Sequence, residues 1–152
     1  IMDRSTAPNQ QILVPVDSSE NAAAALRFAI GLARAFRDTI VVLHVVPDLE
    51  TPGTKRFFDK KTIEAYQQQR FDETMAPILQ TLQMSGVPFS TRMRVGSPRE
   101  QILEESSSRP YRCIVMGSRG YSPFVASVFG SVSQGVLHRS KIPVVVVPPK
   151  ES

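Results

Sequence analysis

The chain reads as an α/β protein, an open parallel sheet of five strands with helices on both faces. Three observations predict this. Short apolar runs alternate with stretches of helical periodicity along the sequence. Three of those runs are almost unbroken apolar, as strands buried on both faces must be. A fourth alternates strictly between apolar and polar, as an edge strand with one wet face does.

The elements follow in order. QILVPV (11–16) predicts the first strand. In the next segment Ala22, Ala25, Leu26, Ala29, Ala33 and Phe36 recur at helical spacing, with Ser18 or Ser19 available as cap. TIVVLHVV (39–46) is the second strand, and 47–60 reads as a flexible polar loop. A second helix covers about 61–85, with Phe71, Met75, Ile78 and Leu82 on one face. Pro77 inside it predicts a kink or a restart, and Gly86 ends it.

FSTRMRV (89–95) is the third strand. Phe89, Thr91, Met93 and Val95 share one face, and Ser90, Arg92 and Arg94 the other, which is expected to be wet. Ser97-Pro98-Arg99-Glu100 has the form of a capping box, so a short helix starts there and Pro110 closes it. RCIVMG (112–117) is the fourth strand, SVSQGVLHRS (131–140) a short helix, and PVVVVP (143–148) holds the fifth strand. With strand three at an edge and strands one, two and four inside, the order 3-2-1-4-5 follows, a Rossmann-like arrangement. Val144–Val147 then forms the other edge. A bare apolar edge invites pairing, so a second copy of the chain is the expected cover.

This order predicts where a ligand binds. Chain direction reverses between strands one and four, and ligands in such sheets sit outside the carboxyl ends at that point. Strand one ends in Pro15-Val16-Asp17. Strand four ends in Met116-Gly117, where a glycine cluster begins with Gly117, Gly120 and Gly130. The glycines permit a tight turn and close approach of the backbone. Gly130-Ser131 opens the last helix, whose N–H groups attract anions. Ser131 and Ser133 are expected to add hydroxyl donors, and Arg119 a charge. Asp17 would repel phosphate and suits ribose hydroxyls or a bridging Mg²⁺. Backbone groups at the end of strand two, His44-Val45-Val46, suit an adenine edge.

The bulk composition bounds the rest. A chain of 152 residues suits one domain, 1–152, with 1–10 as a tail. Hydrophobic residues at 41% and charged residues at 21% are globular composition. The single Cys113 excludes an intrachain disulfide and a multi-cysteine zinc site. The start, IMDRSTAPNQ, has no apolar signal core, so a cytoplasmic protein is expected, and Ile1 ahead of Met2 is read as a cloning remnant. Lys55, Arg56, Lys60 and Lys61 form a basic cluster; no aromatic stripe is read beside it, so nucleic acid is not the expected partner.

These residues resemble the universal stress protein family, in particular its ATP-binding branch. That branch carries G-x2-G-x9-G-[ST], matched here by Gly117-Ser118-Arg119-Gly120 and, nine residues on, Gly130-Ser131. Further matches are Val14-Pro15-Val16-Asp17, Leu43-His44-Val45, Val95-Gly96-Ser97-Pro98 and the run from Lys141 to Pro148. The resemblance implies a dimeric regulator that binds ATP or another adenine nucleotide such as AMP, with or without Mg²⁺. It implies adenine near Val45, ribose near Asp17, and phosphates on Gly117, Gly120, Gly130, Ser131, Val132 and Ser133. It also implies a homodimer through the last strand. Pro123 in the nine-residue linker departs from the family's pattern and puts that linker's path in question.

Two other functions compete. A slow ATPase or autophosphorylating enzyme would share the site, but no lysine stands in a phosphate-loop position. Ser131, His44 and Asp17 assemble into a triad only on paper, and no catalytic residue is assigned. A protein or nucleic-acid adaptor would rest on the basic 55–61 loop alone.

Overall fold

The computed structural model describes residues 9–17, 20–118 and 130–149. Its five strands are β1 (Gln11–Pro15), β2 (Thr39–Val46), β3 (Phe89–Val95), β4 (Tyr111–Gly117) and β5 (Val144–Val147). They form one parallel sheet in the order β3-β2-β1-β4-β5, as the sequence predicts. The helices are α1 (Glu20–Phe36), α2 (Pro52–Lys55), α3 (Lys60–Ser85), α4 (Pro98–Ser108) and α5 (Ser131–Arg139).

Alternation along the central strands divides the core in two. Ile12, Val14, Ile40, Val42 and Val115 face α1 and α3, where Leu26, Ala29, Phe71, Met75 and Leu82 cover them. Leu13, Val41, Leu43, Ile114 and Met116 face the other way, toward Ile102 of α4 and Val136 of α5. The register of β1 against β4 shifts between Gln11 and Ile12. That bulge turns Tyr111 to the second face while Cys113 keeps the first.

Several local expectations are corrected. α3 runs unbroken through Pro77, so the restart the sequence allowed does not occur. Pro77 and Glu73 are exposed, so the Glu73 carbonyl that Pro77 cannot serve is open to water. Gly86 ends the helix as expected, at φ 74°. The segment 47–60 is not wholly loop: α2 forms in it, closed by a Thr51–Thr54 capping box. At α4 the box does not form. Ser97 makes no side-chain cap bond, and Glu100 instead meets Arg99 and Arg139, at 3.3 and 3.4 Å.

β3 is an edge, but its arginine face is not wet. α4 lays Glu105, with no exposed surface, against it. Arg92 Nε and Arg94 Nε donate to Glu105 Oε1 at 2.9 and 2.8 Å, and the Tyr111 hydroxyl donates to Oε2 at 2.6 Å. Burial pushes the Glu105 pKa up, but these bonds from Tyr111, Arg94 and Arg92 outweigh it and hold the carboxyl below its usual range. Burial and the neighbouring carboxylate push the Tyr111 hydroxyl well above its usual value, so it stays a donor. Met93 and Val95, expected on the covered face, are exposed, and on the arginine face only Ser90 is. The reading of a basic cluster without aromatics also fails, since Phe57 and Phe58 stand exposed between Arg56 and Lys60.

Candidate functional site

The site begins with a proline. Val16 N–H bonds to Leu43 O at 2.8 Å, so Val16 faces β2. The residue before it, Pro15, therefore faces β4 with no N–H to give. Paired register between β1 and β4 accordingly runs only from Gln11 to Leu13, although β1 continues to Pro15 and β4 to Gly117. On the flanks pairing runs to the strand ends, Val46 with Val95 and Gly117 with Val147. The sheet thus opens at the one place where the strand order reverses.

One wall of the opening is Asp17, half-buried beyond β1. His44 helps to fix it. Its Nδ1 lies 2.7 Å from Val16 O, and because a carbonyl only accepts, Nδ1 carries the proton. His44 also lies beside Phe71, with ring centroids 6.3 Å apart. His44 is a positioning residue, a role the sequence reading did not give its side chain. Val46 O accepts from Gly96 N–H of the β3–α4 turn at 2.9 Å. Alternation then turns the Val45 carbonyl toward β1, past the point where β1 has ended.

The opposite wall is β4 and α5. Ser118 N–H bonds to Val147 O at 2.9 Å, and Ser118 O accepts from Gly130 N–H at 2.6 Å and from Ser133 Oγ at 3.0 Å. These bonds tie the start of α5 to the end of β4. Ser133 is corrected as a hydroxyl donor to ligand: it is buried, and its Oγ lies 3.0 Å from both Ser118 O and Gly130 O. The Gly130 N–H is likewise engaged. What α5 leaves open are the backbone N–H groups of Ser131, Val132 and Ser133, which have no partner within the helix, and Gly130 supplies no side-chain cap. Ser131 is exposed. The Ser118 Oγ is buried and has no hydrogen-bond partner among the described residues.

The predicted site residues divide accordingly. Asp17, Val45, Gly117, Gly130, Ser131, Val132 and Ser133 stand around one opening. Pro15, Val16 and Met116 are buried there and offer backbone or packing rather than side-chain contact. Arg119 and Gly120, with the linker that holds Pro123, lie outside the described residues. Among the described residues no group of three or more His, Cys, Asp or Glu side chains could hold a metal ion. A cleft of about 350 Å³ between α1 and α3 shares Asp17 with this site, but its wall is otherwise Ala22, Leu26, Arg27 and the Glu73–Thr81 side of α3.

Known proteins share this architecture. The chain is 26% identical over 144 residues to universal stress protein MJ0531 of Methanocaldococcus jannaschii, covering 93% of this chain and 85% of that one. The structure of universal stress protein UspA from Lactobacillus plantarum superposes with TM-score 0.79 at 25% identity, covering 93% and 99% of the two chains. The universal stress protein of Archaeoglobus fulgidus in complex with dAMP gives TM-score 0.65 at 27% identity, over 91% and 97%. No helix among the described residues is long and apolar enough to cross a membrane. The universal stress protein family profile matches residues 8–148, and the chain is a member of that family.

Proposed function

We propose that the chain binds an adenine nucleotide, ATP in the first place, in the opening between β1 and β4, and acts as a dimeric switch of the family's ATP-binding branch. One observation carries the reading. A buried hydroxyl without a partner among the described residues, Ser118 Oγ, lies at the switch point of the sheet, where α5 starts with no side-chain cap bond from Gly130. Both want an acceptor, and a phosphate supplies acceptor oxygens. The dAMP bound by the A. fulgidus protein supports the class of ligand. Ser131, Val132 and Ser133 N–H would meet phosphates, Asp17 ribose hydroxyls, and the Val45 backbone the base. Asp17 is one carboxylate, so Mg²⁺ there would draw its remaining ligands from phosphate and water.

The dimer part rests on β5. It is a sheet edge with all four valines half-buried, an apolar pairing surface of the kind proteins cover. Val146→Lys is expected to give monomer or aggregate in light scattering, and a variant that stays dimeric and soluble points to another interface.

The switch part rests on what the opening offers. Backbone N–H groups bind ground-state phosphate about as well as a transition state, and uniform binding does not speed chemistry. Phosphate release with Mg²⁺ and saturating ATP is expected below about one per minute, against the roughly 1–10³ per second of enzymes. Turnover of several per second, abolished by Asp17→Asn, makes the protein an enzyme instead.

A further inference from the structure

A second cavity, of about 300 Å³, lies under α2, walled by Leu49, Thr54, Phe58, Thr62, Ile63 and Tyr66, which turn no polar surface into it. Its roof is pre-formed. Thr54 Oγ1 donates to Leu49 O, the Thr51–Thr54 box closes α2, and Asp59 Oδ1 accepts from Thr62 N–H at 2.8 Å to start α3. The cavity is partly open, and its mouth is unusual for a protein surface. Phe58 and Tyr66 are 53% and 51% exposed, and the adjacent Phe57 80%.

Cations crowd the same segment. Lys55 and Arg56 follow Thr54 directly, Lys60 and Lys61 precede Thr62, and Arg70 lies one turn beyond Tyr66 on α3. Asp59, the carboxylate in their midst, is engaged as the α3 cap. Lys55 meets Glu50 only at 4.0 Å and Lys60 meets Glu64 only at 3.9 Å, in exposed pairs worth little.

We propose that this cavity binds a small amphiphilic anion, a medium-chain carboxylate, with its hydrocarbon chain inside and its head group at Lys55, Arg56 and Lys61. The apolar wall selects the chain, since a wall that turns no polar surface inward gives water no partner and favours apolar guests. The cationic rim selects the sign of the head group. A nucleobase fits the wall poorly, because its polar edges would meet no donor or acceptor there. A flat membrane surface would engage Phe57 but leave the cavity unfilled. The site lies on the β2–α3 connection, apart from the opening between β1 and β4, and stands or falls independently of nucleotide binding.

Calorimetry of the full chain with decanoate, decanol and decyltrimethylammonium tests it. Decanoate is expected to bind at one site, at least about tenfold tighter than decanol, the ratio of one charged contact, and the cation weakest. Thr62→Trp, which fills the cavity from an exposed position, and Phe58→Asp, which puts a charge into its wall, should each abolish binding while the far-ultraviolet spectrum is kept. Arg56→Glu with Lys61→Glu should weaken decanoate about tenfold and leave decanol unchanged. No decanoate binding at millimolar concentration, equal affinity for decanol, or equal binding by Thr62→Trp overturns the proposal. So does association with anionic phospholipid vesicles in place of free decanoate.

Discussion

Two ends of the same sheet treat their polar groups in opposite ways. At the amino edge Asp38 is buried and saturated. The Arg112 guanidinium grips both its oxygens, Gln10 N–H adds a bond of 3.1 Å, and Arg112 in turn lies 4.1 Å over the Phe36 ring. Glu105, between α4 and the sheet, is saturated in the same way by Arg92, Arg94 and Tyr111. At the carboxyl edge the fold stops short. Pro15 ends the β1–β4 ladder, α5 starts without a capping side chain, and Ser118 Oγ is buried without a partner among the described residues. Buried polar groups left unmatched cost roughly 1–3 kcal/mol each. A fold that matches them at one end and not at the other is what the proposed nucleotide site requires.

If this contrast holds, variants at the two kinds of place should separate stability from binding. The largest effect is expected at Glu105. Glu105→Gln removes a buried charge from two arginines and should cost about 3 kcal/mol in urea unfolding, with ATP affinity unchanged. Its pH dependence sharpens the test. Because the folded pKa is depressed, the stability is fully present above the unfolded value of about 4.5 and is lost as pH falls through the lower folded value. The parent should lose stability in that window and the variant should lack the step. An unchanged urea midpoint removes Glu105 from the structural side of the comparison.

The two serines provide a smaller and finer contrast. Ser133→Ala breaks the strap to Ser118 O and should cost about 1 kcal/mol. Ser118→Ala should cost nothing in stability, or add up to about 1 kcal/mol, because its hydroxyl has no partner among the described residues to lose. It should weaken ATP about tenfold. A stability loss at Ser118 equal to that at Ser133 means the hydroxyl serves the fold, and the contrast disappears.

The sequence carried the fold well because burial on both faces of a strand leaves a pattern in the chain. VVLHVV and CIVM have few polar interruptions, and FSTRMRV alternates. What it could not carry was the meeting of distant polar groups. Arg92 and Arg94 looked wet because nothing local announces that Glu105 of α4 will cover them. Ser97 and Glu100 have the spacing of a capping box, but Arg139, far along the chain, stands at 3.4 Å from Glu100. For the proposed site, Asp17 and the glycines pointed in the sequence to the strand ends, but not to the bonds made around them. Ser133 looks like a ligand donor in one dimension and is a strap in three. The purpose of Pro15 emerges only once Val16 is seen to face β2.

The account rests most heavily on nucleotide at the carboxyl edge, and Gly130 is where that can be tested without disturbing the fold. Its φ of −71° is open to any residue, so Gly130→Glu should fold while placing bulk and negative charge at the α5 N-terminus. Calorimetry with ATP on the parent, Gly130→Glu and Glu105→Gln decides the matter. The account predicts binding by the parent and by Glu105→Gln. It predicts a loss of at least about a hundredfold in Gly130→Glu, as two or more charge-assisted contacts would give. Equal ATP affinity in the parent and Gly130→Glu would contradict it.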